Sequence, residues 1–267
     1  MFDLEPVNAI GEKLTNQFSE LLEMDLSVES MVQLYFAGLG KIRADLYLTT
    51  LFYGREGDRC REAGAYFSAC LMTSSAIESL LAVLCLTSQE DVERIPAYKK
   101  FRGEGSYEER VLNADFQSYI DVASELGWIP SDFVSSELLD AAIKDFPLMA
   151  ANLFPTLSEE NRRQQLEAFK KNPGIEMLRL LQHMRNLVHG ARWVRLRIRI
   201  ETRSMEADSK FIYVIAFQVM YCLIQTFTNI ATAGIEKATA LKGALPPEVW
   251  KVVREQVESI ARSQRSK

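Results

Sequence analysis

The chain contains two histidines, His183 and His189, and both lie in the stretch MLRLLQHMRNLVHGARW that runs from Met177 to Trp193. Stepping about 100° per residue from Ile175 places Met177, Leu178, Leu180, Leu181, Met184, Leu187 and Val188 on one broad apolar arc, which a helix must bury. The opposite arc collects Glu176, Arg179, Gln182, His183, Asn186 and His189, with Arg185 at its border. Residues four apart on a helix are neighbours, so Arg185 stands beside His189 and Arg179 beside His183. Imidazole gains and loses protons near neutral pH, and guanidinium bonds phosphate through a planar fork of donors. An arginine that binds phosphate and a histidine that moves protons are the minimum for cutting RNA without a metal. The histidine assists 2'-hydroxyl attack or leaving-group departure, and the arginine stabilises charge building on phosphorus. The same residues also suit an ordinary solvated helix face.

Other chemistries are narrowed by residue count and spacing. Two histidines exclude a site needing three imidazoles from one chain. Cys60, Cys70, Cys85 and Cys222 contain no CxxC pair and no framework spacing, which argues against disulfides and a thiolate zinc site and fits a reducing cytoplasm. No GxSxG elbow and no calcium-loop spacing occurs, and Gly103-Glu104-Gly105 has no following GxxG or GK, so no metal and no cofactor is expected. The N-terminal residues MFDLEPVNAI carry acids where a secretory signal would carry lysines.

The net charge of -5 conceals an uneven distribution. Between Asn161 and Arg203 lie eleven basic and three acidic residues, so this segment is +8 and the remainder is -13. Such a local excess is the footprint of a surface that meets phosphate. Pairing of these arginines with the acidic N-terminal half or with a second subunit is the alternative.

The elements that must position these residues are mainly helical. Apolar positions recur every three or four residues over residues 4 to 24 and 30 to 52, with an interruption at Tyr53-Gly54. A third helix is expected from about Asp58 to Leu86, whose stretch from Ala65 to Leu86 is apolar on most of its circumference and therefore central, with Glu78 as the one acid of that stretch. Residues 87 to 105 read as a connection with at most one helical turn. Ser106 with Glu109 forms a capping box opening a helix to about Leu126. A further helix is expected to end at Leu153. Thr156 with Glu159 offers a second capping box, and the helix it opens ends at Asn172-Pro173-Gly174. Asn172 then caps the motif helix, which stops at Gly190. Alternation of Arg195, Arg197, Arg199, Glu201 and Arg203 with Leu196, Ile198 and Ile200 predicts a strand with one basic face. A helix from about Lys210 to Lys237 and an amphipathic one from Pro246-Pro247 close the chain. The uncharged run Phe211 to Ile235 reads as a buried core helix and not as a membrane span, because glutamine, threonine and asparagine interrupt it.

Three stretches carry a family resemblance. Arg185-Asn186-Leu187-Val188-His189-Gly190 resembles the signature of the HEPN superfamily, in which an Arg-Asn pair shortly precedes a His-Gly at the end of a core helix. AIESLLAVL, Ala76 to Leu84, is similar to the early core helix of that superfamily, and YIDVASELGWI, Tyr119 to Ile129, to the helix upstream of the motif. Together they span roughly residues 57 to 227.

The resemblance implies an all-α fold with an up-and-down helical bundle, placed at residues 57-240; the helical periodicity outside it adds extra N-terminal helices at 1-56 and a C-terminal amphipathic helix at 241-267, and the alternation after the motif helix adds a short β-strand or hairpin. It also implies a homodimer whose motifs face one another across a cleft, and a metal-independent endoribonuclease or RNA-binding factor of stress, toxin or phage-defence systems, met in the cytoplasm by a protein partner or antitoxin. By position, Arg185 would bind phosphate, Asn186 would orient it and His189 would serve as acid-base residue. Glu78, Arg179, Gln182 and His183 would support them, and Arg192, Arg195, Arg197 and Arg199 would guide RNA. For Glu78 alone, the residues favour a structural carboxylate bonded to a neighbouring helix over a partner for Arg185 or His189. Active ribonucleases of the superfamily usually place more residues between arginine and histidine than the three that separate Arg185 from His189, whereas Arg179 leaves nine. That spacing favours the rival reading, an inactive member used as a dimerising, interaction or ligand-sensing module, while the local charge favours the enzyme.

Overall fold

The computed structural model describes residues 12–13, 15–17, 19–21, 41–101, 103–130, 133, 140–141, 143–144, 158–186, 202–244, 246–249, 251–252 and 254–255. These residues are mostly helical and include no strand, so the fold is all-α. The principal elements are α1 (Lys41–Glu62), α2 (Tyr66–Thr87), α3 (Gln89–Arg94), a 3-10 turn (Pro96–Lys100), α4 (Tyr107–Leu112), α5 (Phe116–Glu125), α6 (Glu159–Lys171), α7 (Pro173–Asn186) and α8 (Thr202–Ala244). Two compact units divide the chain: Leu46–Ile224, and Met1–Asp45 together with Gln225–Lys267.

The larger unit is organised around α2. Its second half is apolar on nearly every side, and Ile77, Leu80, Leu81, Val83, Leu84, Cys85 and Leu86 are buried. Each such aliphatic side chain contributes roughly 1.5–3 kcal/mol by leaving water. α7 lies on α2, α5 and α6, and α2 also packs on α4 and α5. The buried face of α7 is Ile175, Met177, Leu178, Leu180, Leu181 and Met184, the apolar arc that the helical period demands. Asn172 opens the helix as the sequence requires: its Oδ1 accepts from the Ile175 backbone N–H at 3.3 Å. Gly174 in its first turn admits the close approach of α7, because a Cβ there would force Ile129 and the Phe133 ring to shift. Further links come from outside these helices. Tyr213 Oη donates to Asp58 Oδ1 at 3.0 Å, and Cys70 Sγ donates to the Ser209 carbonyl at 3.2 Å.

Several boundaries differ from the sequence expectation, each for a local reason. α1 runs through Gly54 and Gly57 to Glu62, and the break falls at Ala63-Gly64-Ala65. Gly64 takes φ +75° and closes α1, its N–H reaching the Arg61 carbonyl while that of Ala65 reaches Cys60. Gly57 serves a different purpose, since a Cβ there would sit 3.0 Å from Thr73 Oγ1 of α2. The connection after Thr87 holds α3 and the 3-10 turn. The Ser106–Glu109 capping box forms in full, with Ser106 N–H donating to Glu109 Oε2 at 2.8 Å and Glu109 N–H to Ser106 Oγ at 3.2 Å. The helix it opens ends at Leu112, and Asp115 caps a separate α5. α6 is capped by Ser158 and not by Thr156, so Glu159 is its first residue. α8 begins at Thr202, which makes Arg203 helical and removes it from the expected strand. The rest of that strand, residues 195 to 201, lies outside the described residues, as do the end of the motif helix at Gly190 and most of the helix expected before Leu153.

None of the four cysteines is joined in a disulfide. Two helical segments, Tyr66–Thr87 and Ser209–Gly243, are long and apolar enough to cross a membrane by length and composition; within the apolar 18-residue stretch of each, 78% of the first and 39% of the second is buried inside the protein. Within the larger unit, the second segment buries Ile212, Tyr213, Ile215, Ala216, Val219 and Leu223. In the other unit, Lys242 Nζ donates to the Leu21 carbonyl at 2.9 Å.

Candidate functional site

The polar face of α7 meets a cavity of about 540 Å³ inside the larger unit. Gln182, Arg185 and Asn186 supply one wall, and their spacing of three and four residues puts them on a single helical stripe. α2 supplies the second wall through Leu71, Met72, Ser75 and Glu78, again one face of a helix. Asp115 and Phe116, at the start of α5, complete it. Asp115 is held there by its own capping duty: Oδ1 accepts from the Ser118 N–H at 2.8 Å and from Ser118 Oγ at 2.7 Å.

Arg185 and Glu78 are brought together across 107 residues of chain. The guanidinium Nη1 donates to Glu78 Oε2, in a pair whose side chains are 42% and 24% exposed. The two charges are thus partly shielded from water, and neither is lost in the core. Ser75, one turn before Glu78 on the cavity wall, returns its hydroxyl to the Leu71 carbonyl at 3.2 Å. In α5, buried Tyr119 donates to the Val111 carbonyl at 2.6 Å. Burial holds its phenol well above the ordinary range, and the nearby negative charges of Glu78 and Asp115 add to that effect, so it stays a neutral donor. Buried Cys85 is likewise held as a thiol by desolvation.

Of the residues singled out in the sequence, Arg185, Asn186, Gln182 and Glu78 share the cavity. Arg179 does not line it: it is exposed and bonds Glu176 three residues earlier. His183 is half-buried on α7 and is also not part of the lining. His189, Arg192, Arg195, Arg197 and Arg199 lie outside the described residues. The structure adds residues that sequence reasoning passed over, namely Leu71, Met72, Ser75, Asp115 and Phe116. The signal for Asp115 was present, as an acid three residues before Ser118 where a helix could begin. Among the described residues no group of three or more histidine, cysteine, aspartate or glutamate side chains could hold a metal ion.

The fold and this site define an all-α protein with an arginine–carboxylate pair at the wall of a mixed polar and apolar cavity. Comparison with family models, with curated proteins and with solved structures gives no match to any of the three.

Proposed function

We propose that the protein is a HEPN-like homodimer that binds RNA and cleaves it without a metal, as a toxin or defence factor of the cytoplasm that a partner or antitoxin holds in check. The observation that carries this reading is the meeting of Arg185, Asn186 and Gln182 with Glu78 at one cavity, within the helix that leads directly into His189. In the reaction, His189 takes the proton of a ribose 2'-hydroxyl. The 2'-oxygen then bonds phosphorus as the phosphorus–5'-oxygen bond breaks and the leaving 5'-oxygen takes a proton from water, giving a 2',3'-cyclic phosphate and a 5'-hydroxyl end. Arg185 holds the non-bridging oxygens as charge builds on them, and Asn186 orients them. Before RNA arrives, Glu78 occupies the guanidinium as an internal anion that phosphate must displace.

A second reading has a specific observation in its favour. Arg185 is already satisfied by Glu78, and three residues separate it from His189, which suits a module that dimerises or senses a ligand without catalysis. Incubation of purified protein with mixed RNA in a chelator, beside Arg185→Ala and His189→Ala, distinguishes the two. Cleavage by the wild type that both variants lose supports the ribonuclease. Absence of cleavage, or equal cleavage by all three, refutes it.

A further inference from the structure

Resting on that reading, we propose that the cavity beside Arg185 seats one unpaired nucleobase of the RNA, adjacent to the phosphate that the arginine takes. A phosphate alone would engage the guanidinium and leave most of the space unused. The volume of about 540 Å³ falls in the range of small-molecule sites. The walls are of two chemical kinds: Met72 and Phe116 are apolar, while Gln182 and Asn186 present side-chain amides. Among the described residues these two amides have no hydrogen-bond partner. Each amide both donates and accepts, which matches the mixed edge of a base, and the apolar wall matches its flat face.

Charge sets the orientation. Glu78 and Asp115 both line the cavity, so an anion is repelled from its interior, whereas a neutral base is not. Arg185, the more exposed member of its ion pair, is where the phosphate would stay. Only an unstacked, single-stranded base can turn out of the backbone to reach such a recess, so the inference also predicts a preference for single-stranded over duplex RNA.

The test uses the full chain and small probes. Ribose 5-phosphate and the four nucleoside 5'-monophosphates are titrated calorimetrically against the wild type, Gln182→Ala and Arg185→Ala, with circular dichroism confirming that each variant is folded. At least one nucleotide is expected to bind tenfold or more tightly than ribose 5-phosphate. Gln182→Ala should lose most of that advantage while keeping its affinity for ribose 5-phosphate, and Arg185→Ala should weaken every probe. Nucleotides that bind no better than ribose 5-phosphate overturn the base site and leave the phosphate reading standing. If neither ribose 5-phosphate nor any nucleotide binds, and single-stranded RNA does not bind either, both the base site and the reading beneath it fall.

Discussion

Replacing Glu78 by glutamine should make the protein bind phosphate-bearing ligands more tightly, because it removes the anion that competes for Arg185. Glutamine keeps the shape of the side chain and a hydrogen-bonding oxygen, so the guanidinium keeps a neighbour and loses only the charge opposite it. Two unit charges about 4 Å apart attract by about 4 kcal/mol at an effective dielectric of 20. The Arg185 and Glu78 side chains are 42% and 24% exposed, so water and salt screen most of that attraction. Exposed pairs are worth about 0–1 kcal/mol net, which places this half-sheltered one at about 1 kcal/mol. Since 1.4 kcal/mol is about tenfold in affinity, Glu78→Gln should tighten binding of ribose 5-phosphate or a short single-stranded RNA about fivefold. Fluorescence anisotropy in a chelating buffer measures this. The advantage should shrink as salt rises toward physiological strength, where the screening length is about 8 Å. Unchanged or weaker binding by Glu78→Gln would refute the competition and mark Glu78 as a residue that positions the arginine for its ligand.

Two further outcomes test the scaffold. Gly174→Ala adds a methyl group where Ile129 and Phe133 already press on the first turn of α7. It should cost about 1–3 kcal/mol, lowering the thermal midpoint by about 2–4 °C for each kcal/mol in a unit of this size. The Ser106 backbone N–H and hydroxyl hold the Glu109 carboxylate below its usual range. A folded value lower than the unfolded one means the cap stabilises above about pH 4.3 and fades as acid carries the solution through the folded value. Urea denaturation of wild type and Glu109→Gln should therefore differ at pH 7 and converge as the pH falls through the folded value, and a difference that persists once the carboxylate is protonated contradicts the assignment.

How far the sequence revealed this structure depends on which signals were unique. The start of α7 was legible because Asn172, Pro173 and the first apolar residues agree on one boundary, and the Ser106–Glu109 box was legible for the same reason. The central place of α2 followed from its composition. Helix ends were harder to read. Three glycines, Gly54, Gly57 and Gly64, fall in one helical pattern, and only Gly64 takes a positive φ. A helix tolerates the other two at about 1 kcal/mol each, and at Gly57 the missing Cβ permits close approach to α2. The break between α4 and α5 is hidden in the sequence because Leu112, Phe116, Tyr119 and Ile120 continue an apolar rhythm of three and four residues across it. That rhythm is also why Asp115 and Phe116 were not recognised as site residues. The partnership of Glu78 with Arg185 depends on tertiary packing between helices 107 residues apart in sequence, and no local pattern can specify it.

The charges around the cavity assign different tasks to different parts of the basic segment. Among the described residues lining it, Arg185 is the cation and Glu78 and Asp115 are the anions, so the lining itself does not attract RNA over distance. A polyanion is drawn in by the number of phosphates neutralised along its length, and one arginine already shared with a carboxylate contributes little to that. In the proposed function the attraction must therefore come from the basic residues that follow α7, Arg192, Arg195, Arg197 and Arg199, whose charge is plain in the sequence. The cavity then acts at short range, where an amide or an apolar wall discriminates and net charge does not. Attraction and selection are separable in this arrangement: losing charge beyond α7 would weaken binding of all RNA alike, whereas changing Gln182 would alter which RNA is held once it arrives.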